Sequence, residues 1–323
     1  NIKNFNFENK CSKDDKKHIL EKIEGVLPSI GYDLKLLRLK DMDNLTKQSL
    51  VEKHIISPEF ASSKDENCAI LINDEENICI MINEEDHLRM QLFGEGIAIE
   101  ELMNLAIEID QKLERLVDYA FSEKYGYLTA CPTNVGTGLR VSVMVHLPGL
   151  AETGNLNKIL HIVNNFGMSV RGVYGEGSQS MGNMYQISNN QTLGLTEQEI
   201  VKNMKLITDK IIEQERVARK YLGKNQIGLA DKVYRAFGIL ENARILSSNE
   251  CIDLLSDVKL GTDMGIISEL DDTKIKKLFL YTKPANLQKY YGKVMDSNER
   301  DLKRTDIIRK IVGMAGREVS EAN

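Results

Sequence analysis

The chain has 323 residues and a mass of 36.5 kDa, with 42 Lys plus Arg against 48 Asp plus Glu and a formal net charge of −6. At roughly 150 residues per domain this length predicts about two domains, and 42% hydrophobic with 28% charged residues excludes a disordered chain. The acidic balance gives no footing for nucleic acid or an anionic membrane as a partner, and the longest apolar runs fall far short of the ~20 residues a membrane-spanning helix needs.

The opening residues do not read as a signal or transit leader. Asn1 stands where an initiator Met is expected, so residues upstream are expected to be missing. Five cysteines, at 11, 68, 79, 131 and 251, are odd in number and contain no CxxC pair. They predict neither a disulfide framework nor a zinc cage and fit a reducing cytoplasm.

In chain order, Ile19, Leu20, Ile23 and Leu27 at helical spacing predict a helix over 13–27, with Pro28 as its stop. Leu34 to Leu39 reads as a strand. Residues 68–72 and 78–82 are two apolar runs around the polar turn Asp74-Glu75-Glu76-Asn77, a buried hairpin. Over 97–118 the apolar residues Ile99, Leu102, Met103, Ala106, Ile109 and Leu113 mark a long amphipathic helix. Strands follow at 140–147, 169–174 and 184–188, with a short helix at 155–165 between the first two. A second long helix is expected over 196–221, with Thr196 as N-cap and Glu199 at the capping-box position. Residues 229–323 read as short helices broken by Gly238, Gly261, Gly265 and Pro284. The pattern predicts an α+β domain over 1–222 and a smaller all-helical domain over 223–323.

Three segments carry more polar chemistry than packing requires. Asn83-Glu84-Glu85-Asp86-His87-Leu88-Arg89 follows an apolar strand with three carboxylates, an imidazole and a guanidinium. Alone it reads as a solvated acidic loop or as a site for a cationic group beside an anionic one, and His87 alone as a structural hydrogen bonder. Cys131-Pro132-Thr133-Asn134-Val135-Gly136-Thr137-Gly138-Leu139-Arg140 has two glycines that let backbone approach a ligand, but neither the spacing nor the lysine of a Walker A loop. Cys131 reads as a small buried apolar residue or as a reactive thiolate. Arg171-Gly172-Val173-Tyr174-Gly175-Glu176-Gly177-Ser178 is a strand end entering a glycine-rich turn. Arg89, Arg140 and Arg171 thus lie near three separate strands, and guanidinium forks match phosphate oxygens. Together with the carboxylates they suggest transfer of an anionic group to a cationic acceptor, against surface ion pairs as the plain alternative.

These three segments resemble the signatures of the phosphagen kinase superfamily, the ATP:guanido phosphotransferases, which implies an α+β catalytic domain built as an antiparallel sheet flanked by helices. From about Val51 onward the chain most resembles the bacterial protein-arginine kinase branch, through Val51–Pro58 (VEKHIISP), Val117–Phe121 (VDYAF) and Asn298–Arg304 (NERDLKR) as well. Metazoan creatine and arginine kinases fit less well, because they carry a larger helical N-terminal domain and lack the helical C-terminal one. The resemblance implies that Arg89, Arg140 and Arg171 grip the phosphates of ATP. Arg140-Val141-Ser142-Val143-Met144 and Arg171-Gly172-Val173-Tyr174-Gly175-Glu176 would be nucleotide-binding segments, with His54 also at a nucleotide-contacting position. It implies that Glu85 holds and deprotonates the acceptor guanidinium, that Glu176 clamps it, and that Cys131 is the reactive cysteine beside it. Mg²⁺ would be held by ATP phosphates and water, with no protein metal cage.

Arg300-Asp301-Leu302-Lys303-Arg304-Thr305 resembles the branch's phosphoarginine-docking motif RDxxRA, with Thr305 in place of Ala. Arg300, Asp301 and Arg304 would form that site, the two arginines sharing a phosphate from one helix face. Two departures stand out: the family's Ser-Ser-Arg-x-Arg segment is absent, and Gln179 stands where metazoan relatives carry a second substrate carboxylate. The resemblance further implies a cytoplasmic homodimer in stress response and protein quality control. Its partners would be a McsA-like activator, a CtsR-like repressor as substrate and the ClpC–ClpP protease. A kinase for free arginine or another small guanidine, and an inactive phosphoarginine-binding module, are the alternatives.

Overall fold

The computed structural model of the chain describes residues 1–172 and 180–312. It divides into two compact units, one of residues 1–143 and 188–207, the other of residues 144–187 and those from 208 on.

The first unit opens with α1 (Lys13–Ile30), whose cap is the Ser12 hydroxyl accepting from the Asp15 N–H. Pro28 does not stop it. The helix runs on to Ile30 and ends at Gly31, whose φ of 83° is open to glycine at no steric cost. β1 (Lys35–Arg38), α2 (Asn44–Glu52) and the short α3 (Pro58–Ala61) follow, then β2 (Ala69–Ile72), β3 (Ile78–Ile82) and β4 (Leu88–Leu92). The four strands form an antiparallel sheet in sequential order, with Ile70 opposite Met81 and Ile80 opposite Met90.

The hairpin reads as unbroken hydrophobicity because both of its faces are covered. Ala69, Leu71, Ile78, Ile80 and Ile82 pack with Ile19 and Ile23 of α1 and with Ile109 and Leu113 of α4 (Ile99–Glu114). The alternate residues, Ile70, Ile72, Cys79 and Met81, pack on the other side with Leu39, Leu50, Ile55, Ile56 and Phe60. β4 is the strand that the sequence hides, since the residues of its start read as part of a charged loop. A two-stranded ribbon, β5 (Phe121–Ser122) and β6 (Gly126–Tyr127), completes this stretch.

Beyond it lie β7 (Ser142–His146), α5 (Pro148–Glu152), α6 (Leu156–Asn165), β8 (Met168–Gly172) and β9 (Met184–Asn189), the three strands forming one sheet in the order β7-β9-β8. α7 (Glu197–Leu222) begins with the expected capping box: the Thr196 hydroxyl accepts from the Glu199 N–H, and the Glu199 carboxylate accepts from the Thr196 N–H at 2.8 Å. The rest is helical: α8 (Gln226–Asn242), α9 (Ser248–Asp263), α10 (Asp272–Tyr281), α11 (Pro284–Tyr291) and α12 (Ser297–Val312). Their core joins Val233, Phe237 and Leu240 to Leu255, Val258, Leu278 and Ile308.

Gly238 and Gly261 lie inside α8 and α9 and break neither. Gly261 is there for helix packing, since a Cβ at that position would sit 2.2 Å from Val233 Cγ1. Gly265, with φ 72°, follows the end of α9, and Pro284 starts α11 as its first residue. The architecture is α+β with a helical C-terminal region, and no helix of the described residues is long and apolar enough to cross a membrane.

Candidate active site

The β3–β4 turn reverses through Asn83, which is buried with a positive φ of 58°. Its Nδ2 donates to the carbonyls of Lys16 and Asn67 at 3.0 and 2.9 Å, which pins the turn to the core. The three following carboxylates then take different tasks. Glu84 folds inward and accepts from Ser57 Oγ at 2.7 Å, from its neighbour's N–H at 2.7 Å and from Arg89 Nη1 at 3.1 Å. Burial alone would raise its pKa, but these donors hold it below the ordinary carboxylate range. Asp86 is also buried and accepts from the Ala130 N–H at 2.7 Å and from the Asn1 side-chain amide. Glu85, between them, is exposed. Partial burial, with Asp86 and Glu84 beside it, pushes its carboxyl up against the pull of Arg89 and Arg140.

His87 is structural. Its ring is fully buried, Nδ1 accepting from the Ile2 N–H at 3.1 Å and Nε2 facing the Asn6 carbonyl at 2.8 Å. Burial holds it neutral by lowering its pKa, although the Asn6 carbonyl opposes the shift. Arg89 lies on β4 opposite Met81, with an exposed side chain. His54 follows α2 with φ 62° and its N–H bonded to the Val51 carbonyl at 2.9 Å. Ser57, three residues on, ties this segment to Glu84.

The Asp86–Ala130 bond sets the acidic turn directly against the Cys131 segment. There Thr133 Oγ1 lies 3.0 Å from Cys131 Sγ and accepts from Arg140 Nη2 at 3.0 Å. Because Arg140 can only donate, the Thr133 hydroxyl proton is left to point at the sulfur. Arg140 also donates through Nε to Asn134 Oδ1 at 3.0 Å and through Nη1 to the Asn189 carbonyl at 2.7 Å. Three of its five N–H groups are thereby fixed on protein, and its side chain remains exposed. Ser142 and Met144 sit on the exposed face of β7, while Val143 is buried; the Val141 N–H donates to Asn189 Oδ1 at 2.7 Å.

The first unit therefore brings Glu85 within electrostatic reach of Arg89 and Arg140, and the Cys131 segment is joined to the same turn through Asp86. Arg171 and Gly172 are at the end of β8 in the second unit, Arg171 exposed. Val173, Tyr174, Gly175 and Glu176 lie outside the described residues. No group of three or more His, Cys, Asp or Glu among the described residues is arranged to hold a metal ion.

On α12 the two motif arginines are not alike. Arg304 is 1% exposed, its Nε donating to the Thr282 carbonyl at 2.8 Å and its Nη1 to the Leu246 carbonyl and Asp301 Oδ1, both at 2.6 Å. Arg300 is half-buried and donates through Nη1 to the Met295 carbonyl at 2.8 Å. Arg304 lies on the same side of the helix as the core residue Ile308 and is buried with it, whereas Arg300, one turn earlier, keeps part of its surface. The residues that sequence reasoning passed over in the first unit are Asn189 and Thr192, which contact the Cys131–Arg140 segment only through tertiary structure.

The profile of the ATP:guanido phosphotransferase C-terminal catalytic domain matches residues 17–218, and that of the protein-arginine kinase McsB C-terminal domain matches residues 226–322. A protein-arginine kinase of Halothermothrix orenii is 47% identical over 316 residues, covering 97% of this chain and 90% of that protein. One of Bacillus subtilis is 43% identical over 316 residues, covering 96% and 86%. Among solved structures, a lombricine kinase has a TM-score of 0.57 at 27% identity over 67% of this chain and 63% of that one. The duplicated taurocyamine kinase of Schistosoma mansoni has a TM-score of 0.61 at 24% identity, a likeness of fold, over 85% of this chain and 38% of that one.

Proposed function

The chain belongs to the ATP:guanido phosphotransferase family, in its protein-arginine kinase branch, and on that premise we propose that it transfers the γ-phosphoryl group of ATP to arginine side chains of proteins. The observation that carries this reading is Glu85: an exposed carboxylate with a raised pKa, acted on by Arg89 and Arg140 and joined to the Cys131 segment through Asp86.

A guanidinium has a pKa above about 12 and a delocalised lone pair, so it is a poor nucleophile until a base orients it and takes its proton. The raised pKa of Glu85 suits it to that task. As the arginine nitrogen forms its bond to the γ-phosphorus, the bond from that phosphorus to the bridging oxygen breaks. ADP leaves with the electron pair, and the nitrogen's proton passes to Glu85. Arg89, Arg140 and Arg171 grip the phosphates, with His54, Val141 to Met144 and Gly172 to Glu176 completing the nucleotide site. Glu176 is the second clamp on the acceptor, and Cys131 flanks it. Positioning and charge neutralisation do most of the work in phosphoryl transfer.

Glu84 and Asp86 already spend their oxygens on protein donors, which fits Mg²⁺ arriving on the ATP phosphates with water completing its shell. When bound it supplies charge neutralisation at those phosphates.

We place a boundary near residue 222, between the two matched family domains, with catalysis before it and a helical domain for dimerisation and phosphoarginine docking after it. Within that docking site Arg300 and Asp301 meet the ligand, and Arg304 supports them from beneath. The setting we propose is cytoplasmic stress response and regulated proteolysis, with a McsA-like activator, a CtsR-like repressor as substrate and ClpC–ClpP as the protease. The test is Glu85→Gln: phosphoryl transfer is abolished while ATP binding remains near the parent's. Retained transfer would remove Glu85, and the mechanism with it.

A further inference from the structure

Asn189 and Thr192 are buried polar residues, each 3% exposed, on the turn that leaves β9. Neither has surface with which to touch a substrate, yet nearly every polar atom they own is committed to residues 133–141. Asn189 Oδ1 accepts from the Val141 N–H at 2.7 Å, Nδ2 donates to the Leu139 carbonyl at 3.1 Å, and its own carbonyl accepts from Arg140 Nη1 at 2.7 Å. Thr192 Oγ1 lies 2.9 Å from the Thr133 carbonyl and 2.7 Å from the Val135 carbonyl, a single proton serving both. The Thr192 carbonyl accepts from the Thr137 N–H at 3.0 Å.

The two segments meet backbone to backbone. A Cβ on Gly136, whose φ is 114°, would stand 2.3 Å from the Thr192 carbonyl oxygen, and one on Gly126 would stand 2.5 Å from the Gly136 oxygen. Glycine at both positions lets β6, the Cys131 segment and the 189–193 turn stack in direct contact. Polar and backbone contacts hold this stack together. What it fixes is the segment that carries Arg140 at one end and Cys131 at the other, linked through Thr133.

We propose that Asn189 and Thr192 are positioning residues of the transfer site, which hold Arg140 and Cys131 at one fixed separation. This rests on the proposed function, in which Arg140 grips the phosphoryl donor and Cys131 flanks the acceptor. A misplacement near 1 Å between reacting groups costs about a hundredfold in rate, whereas each partner still binds its own anchor. The signature of such a role is a loss in kcat without a matching loss in nucleotide affinity.

The experiment compares Thr192→Val, which keeps the shape and deletes the hydroxyl, with Thr192→Ser, which restores it, in the full chain. Thr192→Val is expected to lower kcat by about tenfold to a hundredfold with KM for ATP changed less than about threefold, and Thr192→Ser to recover most of the rate. In the same samples without substrate, alkylation of Cys131 by iodoacetamide, assigned by peptide mass, is expected to change severalfold in Thr192→Val and to return in Thr192→Ser. Equal kcat in parent and Thr192→Val, a loss that serine does not restore, or an unchanged alkylation rate would each overturn the inference. An inactive parent would overturn the proposed function instead, and the alkylation comparison would still decide this one.

Discussion

The buried guanidinium of Arg304 lends itself to a sharp stability test, through Arg304→Met. Methionine keeps the length of the aliphatic stem and removes the donors to Thr282, Leu246 and Asp301. Both carbonyl-bearing residues are buried, each 1% exposed, so water does not readily replace the lost partner. A buried acceptor left unpaired costs about 1–3 kcal/mol, and two of them about 2–6 kcal/mol. Breaking the pair with Asp301 leaves that carboxylate uncompensated as well, and the expected loss is about 3–5 kcal/mol. For a cooperative unit of this size, about 2–4 °C per kcal/mol translates that into a fall of roughly 6–20 °C in Tm. Far-UV circular dichroism melts of parent, Arg304→Met and Arg300→Ala make the comparison. Arg300 is half-buried and donates to the Met295 carbonyl, so its removal is expected to cost only about 1 kcal/mol. On the proposed docking role, Arg300→Ala is expected to lose affinity for a phosphoarginine peptide in calorimetric titration. A Tm for Arg304→Met within about 2 °C of the parent would refute the reading of Arg304 as a buried anchor, and equal melts for the two variants would refute the distinction between them.

Gly261→Ala should destabilise the helical region by about 1–3 kcal/mol through overpacking, despite alanine's better helix propensity, because the new Cβ would meet Val233 Cγ1 at 2.2 Å. Denaturant midpoints check this, and the double variant with Val233→Ala should recover much of the loss that overpacking causes; a neutral Gly261→Ala would contradict the close packing. His146 is pushed down to about 3 by burial and by Arg219 and Lys259, from an ordinary 6.5. A group whose folded pKa is depressed contributes full stability above the unfolded value and loses it as pH falls. Stability should therefore hold above pH 6.5 and decline by about 1.4 kcal/mol per pH unit below it toward pH 3. His146→Gln should flatten that slope in chemical unfolding, and an unchanged slope would remove His146 as its source.

Much of the fold was legible because its signals are local. The hairpin of β2 and β3 announces itself by two apolar runs around a polar turn, and the Thr196–Glu199 capping box by spacing alone. Local reading failed where tertiary contact reverses a local preference. Gly238 and Gly261 are helix breakers by propensity, yet the close approach of α9 to Val233 requires glycine at 261. β4 was obscured because Leu88 and Arg89 close a charged motif, whereas pairing with β3 makes them strand. Arg304 carries a charge that predicts an exposed helix face. The signal that would have corrected this is Ile308, one turn on and fully buried. In the site, the Glu85 and Cys131 segments were each recognisable, but the Asp86–Ala130 bond that joins them spans 44 residues of chain. The Asn189 and Thr192 contacts span similar distances and leave no periodic trace.

The measurement that tests the central claim most directly offers MgATP and the full-length protein two acceptors in parallel, free arginine and an arginine-rich protein. Products are mapped by mass spectrometry under conditions that preserve the acid-labile P–N bond. The account predicts phosphoarginine within the protein acceptor and none on free arginine. Label on free arginine alone, or phosphoarginine bound but never formed, would contradict it.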